Sequence, residues 1–493
     1  MLYLNKIISA TQTREADQFT IENEPIASID LMERASNAFV EAIEPDLDPK
    51  QKIAVLCGPG NKGGDGLAIA RILMWKGYEV TPYLCMISDK ISQDCDINRN
   101  KIDNIQVIAA YDLMPQFDDY DVLIDGLFGS GLSRRIEGWA AEIVDELNFS
   151  DATVYSIDIP SGMYCDEVPE GDHIVVADAV VSFQRPKLSF FLPESSQYIK
   201  AWKVVDIGLD EHFLHSVPSE NFLLDESIRT SISPREKYSH KGTYGHALII
   251  AGARGKMGAA VLCGSSCLRS GAGLLTMHVP LCGLDIVQTT LPEAMCSLDL
   301  HNFHFSSHLV LDSFKCIGVG PGIGTSKETK EALMHLLNTT NIPMVMDADA
   351  LNILSSDQSL LTLLPQEAVL TPHPKEFERL VGTWTNSLER LEKQKHFSMQ
   401  HQCIIVLKDA DTVITDPEGN AYFNTTGNPG MATGGSGDVL TGIITGLIAQ
   451  EYTPLEAALI GVYFHGLSGD VAVRQKGQNA LLASDIVNYL RIE

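Results

Sequence analysis

The sequence predicts an α/β protein with two domains, each built on an open, mostly parallel sheet with helices on both faces. Three observations lead to this prediction. At 493 residues the chain is too long for one ordinary domain. Short apolar segments typical of strands alternate with helical segments along most of it. Gly-rich or acidic motifs follow the strands, at the edge where open parallel sheets bind ligands.

The two domains are expected to meet in a stretch without clear periodicity. The first alternation of strands and helices closes at Asp206-Ile-Gly-Leu, and the second begins with an apolar strand at His246. Residues 210–235 show neither period, which places a linker near 212–225. We therefore expect an N-terminal domain over 1–217 and a C-terminal domain over 224–493.

Composition limits the class of function. The 36 basic against 64 acidic residues give a net charge of −28, which argues against a nucleic-acid or anionic-membrane partner. The ten cysteines show no CxxC pair or zinc spacing, which indicates reduced thiols. No apolar run reaches the ~18 residues of a membrane span, and the N-terminus lacks a signal-peptide pattern. We expect an untargeted, cytoplasmic protein.

The N-terminal half is predicted to open with a helical pair over 8–45. A strand over 52–57 then runs through the Gly-rich residues 58–66 into a helix over 67–76. The spacing is not GxGxxG, but strand, Gly-rich turn and helix form the phosphate-binding arrangement of doubly wound folds. Further strands are predicted over 79–84, 122–125, 153–157 and 175–183.

Four polar side chains follow these strands: Asn61, Asp65, Asp125 and Asp158. Because carboxyl ends of parallel strands share one edge, we expect them to converge on one crevice. The alternative for each alone is an Asx-turn or a helix cap. Ser161 and backbone carbonyls near Asp125 would form an oxygen cage for a hard monovalent cation.

The C-terminal half contains the longest Gly-rich motif, over residues 424–441. Gly434, Gly435 and Gly437 lack a Cβ, so their amides can approach a ligand closely, and the following helix adds unpaired N–H groups. Such amides would hold a phosphoryl group while Asp438 takes a proton from an attacking hydroxyl. The alternative is a Gly-rich turn in which Asp438 caps the helix.

The other strands of the C-terminal half are also followed by glycines or acidic residues. Strands are predicted from 246, 316, 343, 368 and 403, with a helix over 259–271. His373 stands between two prolines. This arrangement fits a rigid, ligand-facing loop better than a buried core.

These motifs resemble two known families. Residues 241–246, 320–324, 347–352, 371–376 and 427–433 resemble the ADP-dependent NAD(P)H-hydrate dehydratases, a branch of the ribokinase-like fold. Residues 58–66, 125–132 and 158–162 resemble the NAD(P)H-hydrate epimerases, which are Rossmann-like three-layer sandwiches. Together the motifs span nearly the whole chain, in the order of the fused bifunctional repair enzymes. Several motifs in register are specific, whereas none would be specific alone.

The resemblance implies repair of damaged coenzymes. Water adds to the nicotinamide ring of NADH or NADPH and gives R and S hydrates. The N-terminal domain would interconvert the epimers, and the C-terminal domain would dehydrate the S form with ADP, releasing AMP and phosphate. A phosphate ester is a good leaving group, whereas a hydroxyl is a poor one. Both families tend to assemble, so a homo-oligomer is expected.

The resemblance also assigns residues. Asp438 would be the base in the dehydratase, with Mg²⁺ expected beside the nucleotide, and Asp158 would be the proton shuttle in the epimerase. The implied binding sets are Asn61, Lys62, Gly63, Gly64, Asp65, Gly129, Ser130, Gly131, Leu132, Ser133, Arg134, Arg135 and Asp158 for the epimerase hydrate; Ala259, Gly322, His373 and Asp438 for the dehydratase hydrate; Lys408, Asp409, Ala410, Asp411, Thr412 and Gly437 for the nucleotide; and Lys62, Asp125 and Ser161 for potassium.

Two places depart from the family pattern. Lys62 stands where Asn usually helps to hold potassium, and an ammonium has no lone pair to donate to a cation. Either the ammonium replaces K⁺ or the site is degraded, and our hypothesis is replacement. Asp409 and Asp411 stand where the family commonly has glycines, and carboxylates near a nucleotide phosphate are repulsive unless they point away or meet Mg²⁺.

A different function fits part of the sequence. A ribokinase-like small-molecule kinase fused to a non-catalytic nucleotide-binding domain would use the Gly-rich motif and Asp438 equally well. The fused N-terminal domain and the loop over 371–376 favour the repair enzyme.

Overall fold

The computed structural model describes residues 4–110 and 114–493, which form two compact units. One contains Lys6–Ser219 with Asn386–Leu388. The other contains Glu220–Thr385 and Glu389–Glu493, together with the described residues before Lys6. The stretch expected to hold the linker, 212–225, contains most of a short helix over Glu211–Ser216 and a short strand over Asn221–Leu224. Both are too short to show a period in the sequence.

The N-terminal unit contains a seven-stranded sheet. In chain order the elements are β1 (Asn5–Lys6, in the second sheet), α1 (Ala10–Asn23), α2 (Ser28–Ile43), β2 (Lys52–Cys57), α3 (Asn61–Trp75), β3 (Glu79–Cys85), α4 (Gln93–Arg99), β4 (Gln106–Ile108), β5 (Val122–Gly126), α5 (Trp139–Phe149), β6 (Thr153–Ile157), β7 (Ala179–Phe183), β8 (Trp202–Val205) and α6 (Glu211–Ser216). The strand order is β4-β3-β2-β5-β6-β7-β8, with every pairing parallel. The central strands are buried apolar runs, as parallel sheets covered on both faces require.

Helix α3 begins at Asn61, six residues before the predicted start at 67. Gly60 is its N-cap, so residues 62–65 are helical and do not form a turn. Close packing explains the glycines. A Cβ on Gly63 would lie 1.6 Å from the carbonyl oxygen of Gly58, and a Cβ on Gly58 would lie 2.1 Å from that of Leu127. These glycines let the start of α3 lie against the loops after β2 and β5.

The C-terminal unit contains an eleven-stranded sheet. Its further elements are β9 (Asn221–Leu224), β10 (His246–Ile250), α7 (Met257–Arg269), β11 (Leu274–Val279), α8 (Leu284–Thr290), β12 (Met295–Leu298), β13 (Cys316–Val319), α9 (Lys327–Thr339), β14 (Met344–Met346), α10 (Asp349–Ser356), β15 (Val369–Leu370), α11 (Pro374–Val381), α12 (Ser387–His401), β16 (Ile404–Leu407), β17 (Thr412–Thr415), β18 (Ala421–Asn424), α13 (Ser436–Ala449), α14 (Pro454–Lys476) and α15 (Ala483–Tyr489). The strand order is β1-β9-β18-β17-β16-β15-β14-β13-β10-β11-β12. Strand β17 is antiparallel to both neighbours.

Helix α13 is the most buried helix of this unit, with every residue from Val439 to Ala449 buried. It packs on α7 through glycines. A Cβ on Gly442 would lie 2.0 Å from the carbonyl oxygen of Cys263, and one on Gly446 would lie 2.5 Å from that of Cys267. This contact fixes the amino end of α13, where the Gly-rich motif ends.

The described residues contain neither a disulfide nor a membrane-spanning helix. All ten cysteines are free thiols. No helix in the described ranges combines the length and apolar composition that a bilayer crossing needs.

We expect Gly442→Ala to lower the free energy of unfolding by about 1–3 kcal/mol, because the new methyl group would overpack the contact between α13 and α7. Urea denaturation measures the change. Gly258→Ala is the matched control, because Gly258 lies in α7 and a Cβ there would have no atom within 4 Å. The packing argument fails if both variants are as stable as the wild type.

Candidate active sites

The N-terminal unit has a cavity of about 670 Å³ at the carboxyl edge of its sheet. Of the four side chains predicted to converge on this edge, Asn61, Asp65 and Asp158 line the cavity, whereas Asp125 is fully buried and does not line it. Of the residues assigned to the epimerase hydrate, Asn61, Lys62, Asp65, Gly129, Ser130, Gly131, Leu132, Arg134 and Asp158 line it, and Gly63, Gly64, Ser133 and Arg135 do not.

The residues outside the cavity wall are engaged elsewhere. Gly63 packs on Gly58, as described above. The guanidinium of Arg135 lies 2.9 Å from the carboxylate of Glu170 on the surface. Arg134 is therefore the arginine of this loop that a ligand phosphate in the cavity can reach.

Lys62 occupies the predicted oxygen cage. It is only 7% exposed, and its Nζ donates to the carbonyl oxygens of Phe128 (2.7 Å) and Ile159. A carboxylate oxygen of Asp125 lies 3.8 Å from the same Nζ, and Asp125 accepts the backbone N–H of Ser161 at 2.8 Å. Burial lowers the pKa of Lys62, against the attraction of Asp125. An ammonium thus lies among oxygens of the region where the sequence predicted a cage for a monovalent cation.

Asp158 is held ionised by a buried lysine that the sequence analysis missed. Its backbone has a left-handed φ of 59°, a strained conformation of the kind found at functional sites. Its Oδ1 lies 2.8 Å from Nζ of Lys187 and accepts the N–H of Phe183 at 3.0 Å. Burial favours the neutral acid, but Lys187 and Phe183 outweigh it and lower the pKa of Asp158.

Two other carboxyl groups of the cavity have raised pKa values, in contrast to the lowered pKa of Asp158. Burial, and then the charge of Asp158, raise the pKa of Asp17 to about 6. Burial also raises the pKa of Asp65 well above its usual value. Asp17 lies on α1, where the sequence shows no motif, so sequence analysis had no signal for it. The cavity combines one ionised carboxylate with two acids that retain protons more readily.

In the C-terminal unit the Gly-rich motif leads directly into α13. Gly435 is the N-cap with a left-handed φ of 95°, and Asp438 is the third residue of the helix. The alternative that Asp438 caps the helix is therefore wrong. Asp470 fixes the preceding loop, because its carboxylate accepts the N–H of Gly427 and the side-chain amide of Asn428, both at 2.9 Å.

Asp438 is a partly buried carboxyl group to which no described residue donates a hydrogen bond. Burial, and then the negative charge of Asp347, raise its pKa to about 6, against the ammonium of Lys408. Asp347 is itself kept ionised. Burial would raise its pKa, but Lys408 at 2.7 Å and the hydroxyl of Thr441 at 2.8 Å lower it. Asp347 is therefore held ionised, and its neighbour Asp438 is free to exchange a proton.

The loop over residues 408–412, which the sequence analysis assigned to the nucleotide and which we call the nucleotide loop, begins at Lys408 of this ion pair. A Cβ on Gly437 would lie 3.1 Å from Nζ of Lys408, so this lysine lies at the start of α13. Asp409 turns away and pairs with Arg390 at 2.6 Å. Burial, and then Asp409, raise the pKa of Asp411 to about 6. The two departures from the glycine pattern thus place less negative charge in the loop than the sequence suggests.

His373 caps α11. Its Nδ1 accepts the N–H groups of Lys375 at 3.1 Å and of Glu376 at 3.3 Å, which is a structural role the sequence analysis did not foresee. Its loop also lies beside the nucleotide loop, because the N–H of Lys408 donates to the carbonyl of Pro372 at 2.9 Å.

Ala259 and Gly322 are neighbours, because a Cβ on Gly322 would lie 3.4 Å from that of Ala259. A Cβ on Gly322 would also lie 3.1 Å from the Cβ of Lys256, whose ion pair the sequence analysis did not assign. Asp349 lies 3.1 Å from Nζ of Lys256 and accepts the N–H of Gly324 at 2.8 Å. The Asp-x-Asp pattern directly after β14 was the available signal.

Comparisons with known proteins agree with this architecture. The family model described as NAD(P)H-hydrate dehydratase matches residues 247–491, and the one described as YjeF-related protein N-terminus matches 28–189. A bifunctional NAD(P)H-hydrate repair enzyme of Moorella thermoacetica is 34% identical, covering 98% of this chain and 96% of its own. One from Coxiella burnetii is 34% identical, covering 100% of this chain and 99% of its own.

The chain belongs to the bifunctional NAD(P)H-hydrate repair enzymes. A solved structure of the ADP/ATP-dependent NAD(P)H-hydrate dehydratase of Bacillus subtilis, co-crystallised with ATP and Mg²⁺, is 32% identical, with a TM-score of 0.47 over 54% of this chain and 94% of its own. The predicted two-domain α/β fold and the predicted family are confirmed.

For a repair enzyme of this family, we expect the rate of the ADP-dependent reaction to fall as the pH falls through about 6, the raised pKa of Asp438. Below that pH the carboxyl group is protonated and cannot accept the hydroxyl proton. The pH profile of kcat/KM for the S hydrate measures this. Asp411 has a similar pKa, so Asp411→Asn is the control, and its profile should keep the fall. A profile that stays flat down to pH 5 contradicts the assignment to Asp438.

Proposed function

We propose that the N-terminal unit epimerises NAD(P)H hydrates and that the C-terminal unit dehydrates the S form with ADP. The relatives that match the whole chain support both activities. The observation that carries the dehydratase is the unpaired carboxyl group of Asp438, in the first turn of α13 beside Lys408 and Gly437. This is an acceptor for a hydroxyl proton next to donors for a phosphate.

The dehydratase step follows from these groups. Asp438 removes the proton of the hydrate hydroxyl, whose oxygen attacks the terminal phosphorus of ADP, and the bond to the AMP oxygen breaks. The amides of residues 434–437 and the ammonium of Lys408 stabilise the charge on the transferred phosphoryl group. The C–O bond of the phosphate ester then breaks with its electron pair on phosphate, a neighbouring ring carbon loses a proton, and NAD(P)H is restored.

Asp347 and Asp349 are suitable partners for Mg²⁺. No cluster of three metal-ligating side chains is found in the described ranges. Mg²⁺ at nucleotide sites is usually held by one or two carboxylates together with substrate phosphates. The negative charges of both carboxylates act on Asp438, and two such carboxylates near the site fit that donor set. When bound, the ion would neutralise phosphate charge.

In the epimerase, Asn61, Arg134 and the amides of residues 129–132 are proposed to hold the hydrate phosphates. Asp65 is proposed to be protonated there, because its raised pKa lets it donate a hydrogen bond rather than repel an anion. Ala259, Gly322 and His373 keep their proposed role at the dehydratase hydrate. Assembly into a homo-oligomer and a cytoplasmic location stay predictions.

Potassium does not fit this chain. The carbonyls of Phe128 and Ile159 and the carboxylate of Asp125 already surround the ammonium of Lys62. A second cation in the same cage would be repelled, and the oxygens it needs are occupied. We therefore propose that this epimerase carries its own cation.

Replacement of Asp438 should separate the two activities. We expect Asp438→Asn to reduce ADP-dependent dehydration of the S hydrate by about 10²–10⁴-fold, the usual range for a lost general base. Return of NAD(P)H absorbance follows the reaction. Epimerisation of the R hydrate by the same variant is the internal control and should be unchanged. Unchanged dehydration, or accumulation of a stable phosphorylated product in the wild type, contradicts the proposed reaction.

The epimerase should be equally active with and without K⁺ at matched ionic strength, with choline chloride as the substitute salt. We further expect Lys62→Asn to become K⁺-dependent, because the shorter amide vacates the cage and offers an oxygen. Lys62→Met is the matched control, since it vacates the ammonium position without adding a ligand and should not respond to K⁺. Strong K⁺ activation of the wild type contradicts the replacement.

A further inference from the structure

Asp17 is an acidic residue of the N-terminal cavity to which the family motifs assign no role. It lies on α1, one wall of the cavity, next to Arg14. No described residue donates a hydrogen bond to its carboxyl group. An unpaired acid in the wall of a ligand cavity is available to a bound molecule.

The nearby lysines do not form an ion pair with Asp17, because each is engaged by other groups. Lys62 is enclosed by its carbonyls and Asp125, and Lys187 is paired with Asp158. Burial raises the pKa of Asp17 to about 6, with Asp158 adding to the rise and Lys187 opposing it. The charged groups in the cavity wall besides Asp17 are Arg14 on α1, Lys62 and Asp65 on α3, Asp94 on α4, Arg134 after β5 and Asp158 after β6.

Epimerisation through a ring cation needs a proton donor and an anion, which are two different states of a carboxyl group. When water adds to an enamine, the hydroxyl joins the carbon next to nitrogen. One route of inversion there breaks the C–O bond and remakes it on the other face. The ring nitrogen lone pair forms a C=N bond as the hydroxyl departs, so the ring becomes a cation. A neutral acid is needed to protonate the departing oxygen, and an anion is needed to face the cation.

Asp158 suits only the second of these roles. Its ion pair with Lys187 at 2.8 Å and its hydrogen bond from Phe183 at 3.0 Å favour the carboxylate. A carboxylate held in this way is a poor proton donor and a good partner for a ring cation. The proton-shuttle role expected for Asp158 therefore needs another residue.

We propose that Asp17 is the proton-transferring catalytic residue of the epimerase and that Asp158 stabilises the ring cation. This inference rests on the proposed epimerase activity. Asp17 gives its proton to the hydroxyl, the C–O bond breaks with its electron pair on oxygen, and water forms. Water then adds to the opposite face, the C=N π electrons return to nitrogen, and the released proton returns to the Asp17 carboxylate through water in the cavity. Atoms and charge balance, and no further reactant is consumed.

The test uses the full chain and the R hydrate. The dehydratase unit converts each S hydrate formed to NAD(P)H, so ADP in excess turns epimerisation into an absorbance signal. We expect Asp17→Asn to lower epimerisation at least 100-fold while dehydration of the pure S hydrate is unchanged. Asp17→Glu should retain more activity than Asp17→Asn, because it keeps a titratable acid. Glu15→Gln is the matched control, because Glu15 lies on α1 outside the cavity wall.

A pH profile separates catalysis from a structural role. After subtraction of the uncatalysed rate, wild-type epimerisation should fall as the pH rises through about 6, since only the protonated form of Asp17 can act as the acid. The residual epimerisation rate of the Asp17→Asn variant should not fall over this pH range. Thermal unfolding of Asp17→Asn at the wild-type midpoint would show that the fold is intact.

Each other result overturns the proposal. If the wild type epimerises and Asp17→Asn matches it at every pH, Asp17 is not the acid. If Asp65→Asn loses the activity and the pH limb while Asp17→Asn keeps both, Asp65 is the acid instead. If the wild type itself does not epimerise, the proposed function of the unit fails, which these variants distinguish from a failure of Asp17 alone.

Discussion

An ion pair between a lysine and a largely buried aspartate organises each of the two sites. In the C-terminal unit Lys408 lies 2.7 Å from Asp347, and in the N-terminal unit Lys187 lies 2.8 Å from Asp158. Each pair keeps one carboxylate charged inside the protein. That fixed charge then helps to raise the pKa of a second acid, Asp438 in one case and Asp17 in the other. The two units, with different topologies, reach the same division of labour between an ionised and a proton-exchanging carboxyl group.

Such pairs are not explained by stability alone. Moving two charges out of water costs several kcal/mol per ion, and the attraction between them recovers this only with good geometry and further hydrogen bonds. The protein supplies those bonds. Thr441 donates to Asp347, and Phe183 donates to Asp158. The consequence is a set of charges fixed before any ligand arrives, which is the condition for electrostatic stabilisation of a reacting group.

The sequence predicted the fold well because its central strands are buried on both faces and therefore form uninterrupted apolar runs. It singled out Asp158 because this residue directly follows a strand, and Asp438 because it directly follows a Gly-rich motif at the start of a helix. It missed Lys187 and Asp17, which lie outside any motif and come near Asp158 only through the tertiary fold. It also misplaced the start of α3, since glycines that suggest a loop are used there for close packing.

Lys62 shows how a tethered cation differs from a free one. Occupancy of an ion site follows ion concentration, whereas a side chain is present at every concentration. The tether has its own limit, because the ammonium must stay protonated while burial lowers its pKa. Asp125, 3.8 Å away and itself bound by Ser161, opposes that effect. The proposed replacement therefore exchanges a dependence on potassium for a dependence on one buried carboxylate, which makes Asp125 as important to the site as the lysine it faces.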